Sequence, residues 1–238
     1  ERWEAPSFEE KIKDNASSLP DLNGVKEIKQ ENNFPSFLKD IHQIKKNKKP
    51  SSEEFVQVHK TFIIAENENG FIAIHQQNAH ERILYERFVN AMKGKPLSIQ
   101  RSLFPVTLEL TPADSVLLTE LLPDLYLLGY QVEPFGNNTF VIQGSPADVT
   151  DGNEKVALEK MLEQYKHFSM DVKFNKREKL LRSMAWQQSV KAGTALLYDE
   201  LKNLVEDLFA CEICNTTPNG KPVFLEFKKE ELEKMFGR

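Results

Sequence analysis

The stretch from Phe55 to Met92 constrains the fold more than any other part of this sequence. Phe55–Ala65 (FVQVHKTFIIA) is rich in β-branched and aromatic residues and predicts a strand. Glu66–Gly70 (ENENG) supplies a turn, and Phe71, Ile72, Ala73 and Ile74 supply a second strand, which together predict a β-hairpin. A helix is predicted over Ala79–Met92, where Ile83, Leu84, Phe88 and Val89 recur at helical spacing. A hairpin feeding into an amphipathic helix buries its apolar surface by packing the two elements together, which points to the α+β class. The corner between them, Ile74–Glu86 (IHQQNAHERILYE), gathers His75, Gln77, His80, Glu81, Arg82, Tyr85 and Glu86. Chemistry is often presented at such connections, so the polar residues there are the first candidates for a site.

The remainder keeps the mixed order. Val106–Leu110 alternates as a strand. Thr111-Pro-Ala-Asp114 then opens a helix, with a Thr cap, Pro at the first helical position and a carboxylate beside the free amides. That helix carries the leucine run Leu117–Leu128, expected as core, and stops by Gly129. Tyr130–Phe135 and Thr139–Gln143 read as strands joined across Gly136-Asn137-Asn138. Helices are predicted over Glu154–Phe168, Lys176–Ala192 (closed by Gly193) and Asp199–Cys211, then a strand over Pro222–Phe227 and a terminal helix over Glu230–Phe236.

With 238 residues, 40% hydrophobic and 28% charged, the chain can bury the core of one or two domains. Its formal charge of −5 argues against general coating of nucleic acid and leaves room only for local basic patches. No apolar run approaches the roughly 18 residues of a membrane span, and the opening ERWEAPSFEEK has no secretory layout. Residues 1–52 hold scattered Asn, Ser, Pro and charge, predicting a flexible linker with a short helix near Pro35–Ile44 and a basic run at Lys45–Lys49, read as solvated, with contact to DNA phosphates as the alternative. The abrupt start suggests a piece of a longer protein. Cys211 and Cys214 form one CxxC, which without a second pair reads as reduced cytosolic thiols rather than a zinc site. No Gly-rich phosphate loop or nucleophile elbow is present.

IHQQNAHERILYE resembles the DQHAxxExxxxE motif of the MutL family of DNA mismatch-repair proteins, in its C-terminal dimerisation domain. Four further segments extend the resemblance in order: QRSLFPVTLELTPAD (Gln100–Asp114), SVKAG (Ser189–Gly193), LVEDLFAC (Leu204–Cys211) and TPNGKP (Thr217–Pro222), the last in place of CPHGRP. The closing FGR is similar to the family's terminal F-x-R, so the resemblance spans about Phe55–Arg238. It implies an α+β fold of two subdomains. Residues 53–97 plus 175–238 would form the dimerisation subdomain, 98–174 an inserted external regulatory subdomain, and 1–52 the linker. It also implies a homodimer whose partners are the replicative sliding clamp, the mismatch-recognition protein MutS and, mainly through the full-length protein, DNA. The expected compartment is the bacterial cytoplasm, nucleoid-associated during repair, with no membrane. ATP and Mg would belong to an N-terminal ATPase domain outside this fragment, and no cofactor is expected within it.

The nuclease branch of the family builds a metal site between these motifs. By the resemblance, His75 stands for its Asp, Gln77 for its His, Trp186 (in AWQ) for the Cys of A-C-R, and Thr217 and Asn219 for the Cys and His of CPHGRP. Only Glu81 and Glu86 remain. Amides and a hydroxyl are poor ligands for zinc or manganese, and an indole is none. The fragment is therefore expected to be no enzyme and to hold no metal, with Glu81, Arg82 and Glu86 kept as scaffold. The alternative is a divergent metal-dependent nicking endonuclease whose ligands are rearranged among His75, His80, Glu81, Cys211 and Cys214. Gln100, Leu103, Phe104 and Pro105 fit the Qxx(L/I)xP pattern by which MutL relatives engage the clamp, an extended peptide placing an amide and apolar groups in a pocket. The bland reading of that segment is a Leu-Phe-Pro entry to a strand, which would leave a structural dimer module with a vestigial motif. Trp186 is expected to pack rather than stack on a base, His59 to sit on a strand beside a polar partner, and Glu230, Glu231 and Glu233 to form a solvated helix face.

Overall fold

The computed structural model describes residues 50, 54–147, 149, 152–169 and 174–237. The predicted helix near 35–44, the basic run at 45–49 and all of the 1–52 linker except Pro50 lie outside the described residues. In chain order the elements are β1 (Phe55–Val58), β2 (Phe62–Asn67), β3 (Gly70–His75), α1 (Gln76–Met92), β4 (Ile99–Glu109), α2 (Pro112–Leu127), β5 (Gln131–Pro134) and β6 (Thr139–Pro146). These are followed by α3 (Glu154–Ser169), α4 (Lys176–Gln188), α5 (Tyr198–Ala210), β7 (Phe224–Lys228) and α6 (Lys229–Met235). The class is α+β, with one sheet ordered β1-β2-β3-β7 and another ordered β4-β6-β5.

The predicted strand Phe55–Ala65 is two strands. His59 and Lys60 both take positive φ (52° and 51°), and the Thr61 N–H donates to the Val58 carbonyl at 3.1 Å. This is the geometry of a primed turn, whose twist suits paired strands. The expected hairpin is therefore a three-strand meander, and His59 sits in its first turn rather than on a strand. The end of the chain returns to complete the sheet, with Phe224 opposite Ile74 and Lys228 opposite Gly70. Gly70 has φ of +152°, and a Cβ there would lie 2.0 Å from the Phe227 carbonyl oxygen, so this close approach of β3 to β7 requires glycine.

Helix α1 begins three residues earlier than predicted because His75 caps it, Nδ1 accepting the Asn78 N–H at 3.3 Å. Helix α2 follows its predicted signals, with Thr111 Oγ1 accepting the Asp114 N–H at 3.2 Å and Gly129 in the left-handed region (φ 87°). Helix α4 stops at Gln188 rather than Ala192, since Ser189 is already extended (φ −61°, ψ 142°) and Gly193 belongs to the following loop. Strand β4 starts at Ile99, well before the predicted Val106, and β7 starts at Phe224, with Pro222 before it in an isolated bridge to Thr216.

The core forms two clusters. One gathers the α2 leucines Leu118, Leu121 and Leu125 and the capping Leu128 with Leu158 and Leu181, as the leucine run predicted. The other lies between the four-stranded sheet and its helices, from Ile63, Ile72 and Ile74 to Leu204 and Leu208. Helix α1 serves both, giving Ala79 to the sheet cluster and Leu84 and Phe88 to the other. Its first turn is thereby fixed at the end of β3.

Candidate functional site: a polar corner closed by its own hydrogen bonds

Two loops converge on the junction of β3 and α1. The loop after α4 is held by three side chains of the first helical turns. Fully buried Gln76 donates Nε2 to the carbonyls of Lys191 (2.9 Å) and Thr194 (3.1 Å). Gln77 Oε1 accepts the Ala192 N–H at 3.3 Å, and His80 Nδ1 accepts the Val190 N–H at 2.9 Å. The loop before β7 is held by Asn78, whose Nδ2 donates to the Pro222 carbonyl at 2.8 Å, and by the His75 N–H, which donates to Val223 at 2.9 Å. Buried Thr217 closes that loop on itself, its Oγ1 accepting the Lys221 N–H at 3.1 Å.

Beneath these loops runs a buried polar network. Glu81 is 3% exposed and accepts a hydrogen bond from Asn219 Nδ2 at 3.3 Å. Asn219 Oδ1 in turn accepts from Arg182 Nη1 at 2.9 Å, and the same guanidinium donates to the Pro218 carbonyl at 2.5 Å and to Glu178 Oε1 at 2.6 Å. The Tyr85 hydroxyl donates to Glu178 (2.8 and 2.9 Å), while the Arg182 guanidinium carbon lies 3.9 Å from the centroid of the Phe174 ring. Arg82 pairs with Glu86 at 3.4 Å, and Glu86 Oε1 accepts the Glu212 N–H at 2.7 Å. Burial raises the Glu81 pKa, opposed by the positive charges of Lys221, Lys191 and Arg182. Burial also raises Tyr85, reinforced by the Glu178 carboxylate, and lowers His75.

His75, Gln77, Glu81, Thr217 and Asn219 thus meet at one corner, each already engaged within the protein. Glu86 is turned toward Glu212, away from Glu81's partner Asn219. Trp186 is 37% exposed on α4, with the Lys191 ammonium 4.1 Å from its ring centroid. Cys211 and Cys214 are free thiols, and burial together with the nearby Glu86 charge pushes Cys211 up to about 12. Among the described residues no group of three His, Cys, Asp or Glu side chains is arranged to hold a metal ion. The charges beside Glu81 are also of the wrong sign for a cation. The corner does not fit the metal that the resemblance would supply.

Residue types alone did not single out Arg182, Asn78, Gln76, Lys191 or Lys221. Arg182 had one sequence signal, Glu178 four residues earlier on the same helix face. Gln76 and Asn78 act on backbone carbonyls more than 100 residues away, and Lys191 and Lys221 act by charge on Glu81, so none of them leaves a local pattern.

The clamp-like segment lies on β4 rather than before it. Gln100 and Arg101 pair with Ser145 and Gly144, and pairing resumes at Val106 opposite Ile142, so Ser102–Pro105 face a single residue of β6. The surplus bulges outward, leaving Leu103 91% and Phe104 83% exposed, with Ser102 Oγ donating to the Phe104 carbonyl at 3.0 Å. Gly144 permits the pairing, because a Cβ there would meet Ile99 Cγ2 at 2.6 Å.

A β3–α1 corner knit to two loops and a sheet completed by the last strand define an α+β scaffold domain. The chain belongs to the family of the MutL C-terminal dimerisation domain, whose model matches residues 55–196. It is similar to the DNA mismatch repair protein MutL of Pelodictyon phaeoclathratiforme, 35% identical over 192 residues, covering 81% of this chain and 31% of the relative. The same-named protein of Chloroherpeton thalassium is 36% identical over 187 residues (78% and 29%). That of Chlorobaculum parvum is 33% identical over 204 (86% and 32%). The chain therefore spans about a third of the length of these relatives. Among the described residues no helix is long and apolar enough to cross a membrane.

Proposed function

We propose that this chain is the homodimerisation and sliding-clamp docking module of a MutL homologue acting in DNA mismatch repair, without nuclease activity of its own. The observation that carries the dimer is the outer face of the four-stranded sheet. Strand alternation turns Ile63, Ala65, Ile72 and Ile74 toward the helices, which leaves Val56, Phe62, Ile64, Phe71, Ala73 and Phe227 on the opposite face. A sheet with one solvated face normally alternates apolar with polar. Here the outer face is mainly apolar too, with Glu66 and His75 its polar members, Val56 and Phe62 are 60% and 40% exposed, and the Phe71 and Phe227 rings stack at 4.9 Å. A continuous apolar face calls for a partner, and the family's dimerisation domain makes a second copy that partner.

The division into a dimerisation subdomain of residues 53–97 plus 175–238 and an external subdomain of 98–174 is supported by the sheets. One draws on both ends of the described chain, and the other lies wholly within Ile99–Pro146. ATP with Mg, and contacts to MutS and DNA, belong in this reading to the longer cytoplasmic protein.

The bulge supports clamp docking by offering Leu103 and Phe104 to solvent beside Gln100 and Pro105. Gln100→Ala combined with Leu103→Ala is expected to weaken clamp affinity by at least about tenfold in calorimetry, a loss of roughly 1.4 kcal/mol, while sedimentation still reports a dimer. Unchanged affinity would show the motif to be vestigial. The engaged corner supports the absence of a nuclease. With manganese and supercoiled DNA, run beside a nuclease-competent relative, the chain is expected to leave the plasmid intact. Manganese-dependent nicking abolished by Glu81→Gln would replace this reading with a rearranged endonuclease.

A further inference from the structure

We propose that Ser102 is a positioning residue for clamp docking, its hydroxyl closing the β4 bulge on itself and so holding Leu103 and Phe104 outward. The inference rests on the clamp-docking reading and adds how this chain presents the segment. Ser102 Oγ donates to the Phe104 carbonyl at 3.0 Å, spanning Leu103. The ladder to β6 is broken at this place. Arg101 pairs with Gly144 and Val106 with Ile142, so Ser102–Pro105 stand against Gln143 alone. The Gln143 side chain is engaged toward β5, accepting from Gln131 Nε2 at 2.9 Å and donating to Glu133 at 2.8 Å. What shapes the bulge lies within it or at its ends.

At the first end, Gly144 lets Gln100 and Arg101 come close to β6, since a Cβ there would lie 3.0 Å from the Gln100 carbonyl oxygen. At the other end, Pro105 has no N–H to give a ladder and confines Phe104 before it to extended backbone. Between these ends the Ser102 hydroxyl ties the chain across Leu103 and gives the Phe104 carbonyl a donor inside the bulge. Neighbouring leucine and phenylalanine side chains would shed water by folding onto a nearby surface. Here they stand 91% and 83% exposed, a cost that an apolar pocket on a partner returns. A free peptide entering such a pocket loses backbone freedom as it binds, whereas a segment held in place has lost it on folding. The Qxx(L/I)xP pattern leaves position 102 open, so the hydroxyl serves the presentation rather than the motif.

The test titrates purified replicative sliding clamp with the full 238-residue chain and, separately, with a synthetic peptide of residues Ile99–Val106. In the full chain Ser102→Ala is expected to weaken clamp affinity about three- to tenfold, the range for one lost hydrogen bond. Ser102→Thr keeps the hydroxyl and should restore the affinity. In the peptide, which has no β6 to bulge from, Ser102→Ala should change affinity by less than about twofold. The urea midpoint of the full-chain variant should stay where it is, since the hydroxyl lies at the surface and outside both core clusters. Unchanged clamp affinity of the full-chain variant overturns the proposal. An equal loss in chain and peptide also overturns it, showing a hydroxyl that touches the clamp directly, and a lowered urea midpoint overturns it by showing a general weakening of the sheet. Gln100→Ala with Leu103→Ala keeps the outcomes separable. Loss of affinity there with indifference to Ser102→Ala refutes only this inference, whereas indifference to both refutes the clamp-docking reading beneath it.

Discussion

Truncating Arg182 to alanine is expected to cost about 3–5 kcal/mol of folding stability, among the largest losses from any single polar side chain here. The side chain is 6% exposed and Glu178 14%, so solvent screens their contact little. One guanidinium joins Glu178 on its own helix to the Pro218 carbonyl and Asn219 on the loop before β7. Alanine leaves the Glu178 carboxylate buried with only the Tyr85 hydroxyl to compensate it, strips Pro218 of a donor and releases Asn219 from its bridge to Glu81. Arg182→Lys keeps the charge without the planar fork and cannot reach loop and carboxylate together, so it should recover only part of the loss. Urea unfolding monitored by circular dichroism measures this as a drop in midpoint at constant m. Lys176→Ala, which removes an exposed partner of Glu120, is the control and should leave the midpoint nearly unchanged. An Arg182→Ala cost no greater than that of the control would mean the network does not hold the loop.

That network shows where sequence reasoning stops. Apolar periodicity and the Thr111 cap located helix α2 and its leucine core because those signals are local. The first turn was invisible, since His59-Lys60 adopts a conformation usually advertised by Asn-Gly. The start of α1 was missed for a similar reason, as a histidine rather than Ser, Thr, Asp or Asn provides the cap. Gly193 was read as a helix stop, yet the helix had already ended where His80 captures the Val190 N–H. At the corner, the resemblance named which positions had changed, but their new roles depend on partners more than 100 residues away, such as Ala192 for Gln77 and Asn219 for Glu81. No local pattern encodes a contact of that range. The bulge in β4 was legible as a motif and not as a shape, because the surplus of Ser102–Pro105 exists only relative to the register of β6.

Phe227→Glu and Phe62→Glu are each expected to turn the dimer into a folded monomer, raising its dissociation constant by at least about 100-fold, or roughly 2.7 kcal/mol. The two residues sit on different strands, β7 and β2, yet share the outer face of one sheet, so a common effect implicates the face rather than either local contact. In a symmetric pair each substitution enters twice, and each copy must strip water from a carboxylate set on a mainly apolar face. Within one chain the cost is smaller. Phe62 is 40% exposed and loses chiefly its edge contact with His75, 5.5 Å between centroids, while Phe227 loses its stack on Phe71. Such aromatic contacts are worth about 0.5–1.5 kcal/mol. The helix-facing core of Ile63, Ile72 and Ile74 is untouched, so the monomer should keep its circular dichroism spectrum and cooperative unfolding. Sedimentation velocity over a micromolar concentration series reads the result directly. If both variants remain dimeric, the chains meet elsewhere and the apolar face has another partner. If the unaltered chain is itself a monomer under these conditions, the homodimer reading fails.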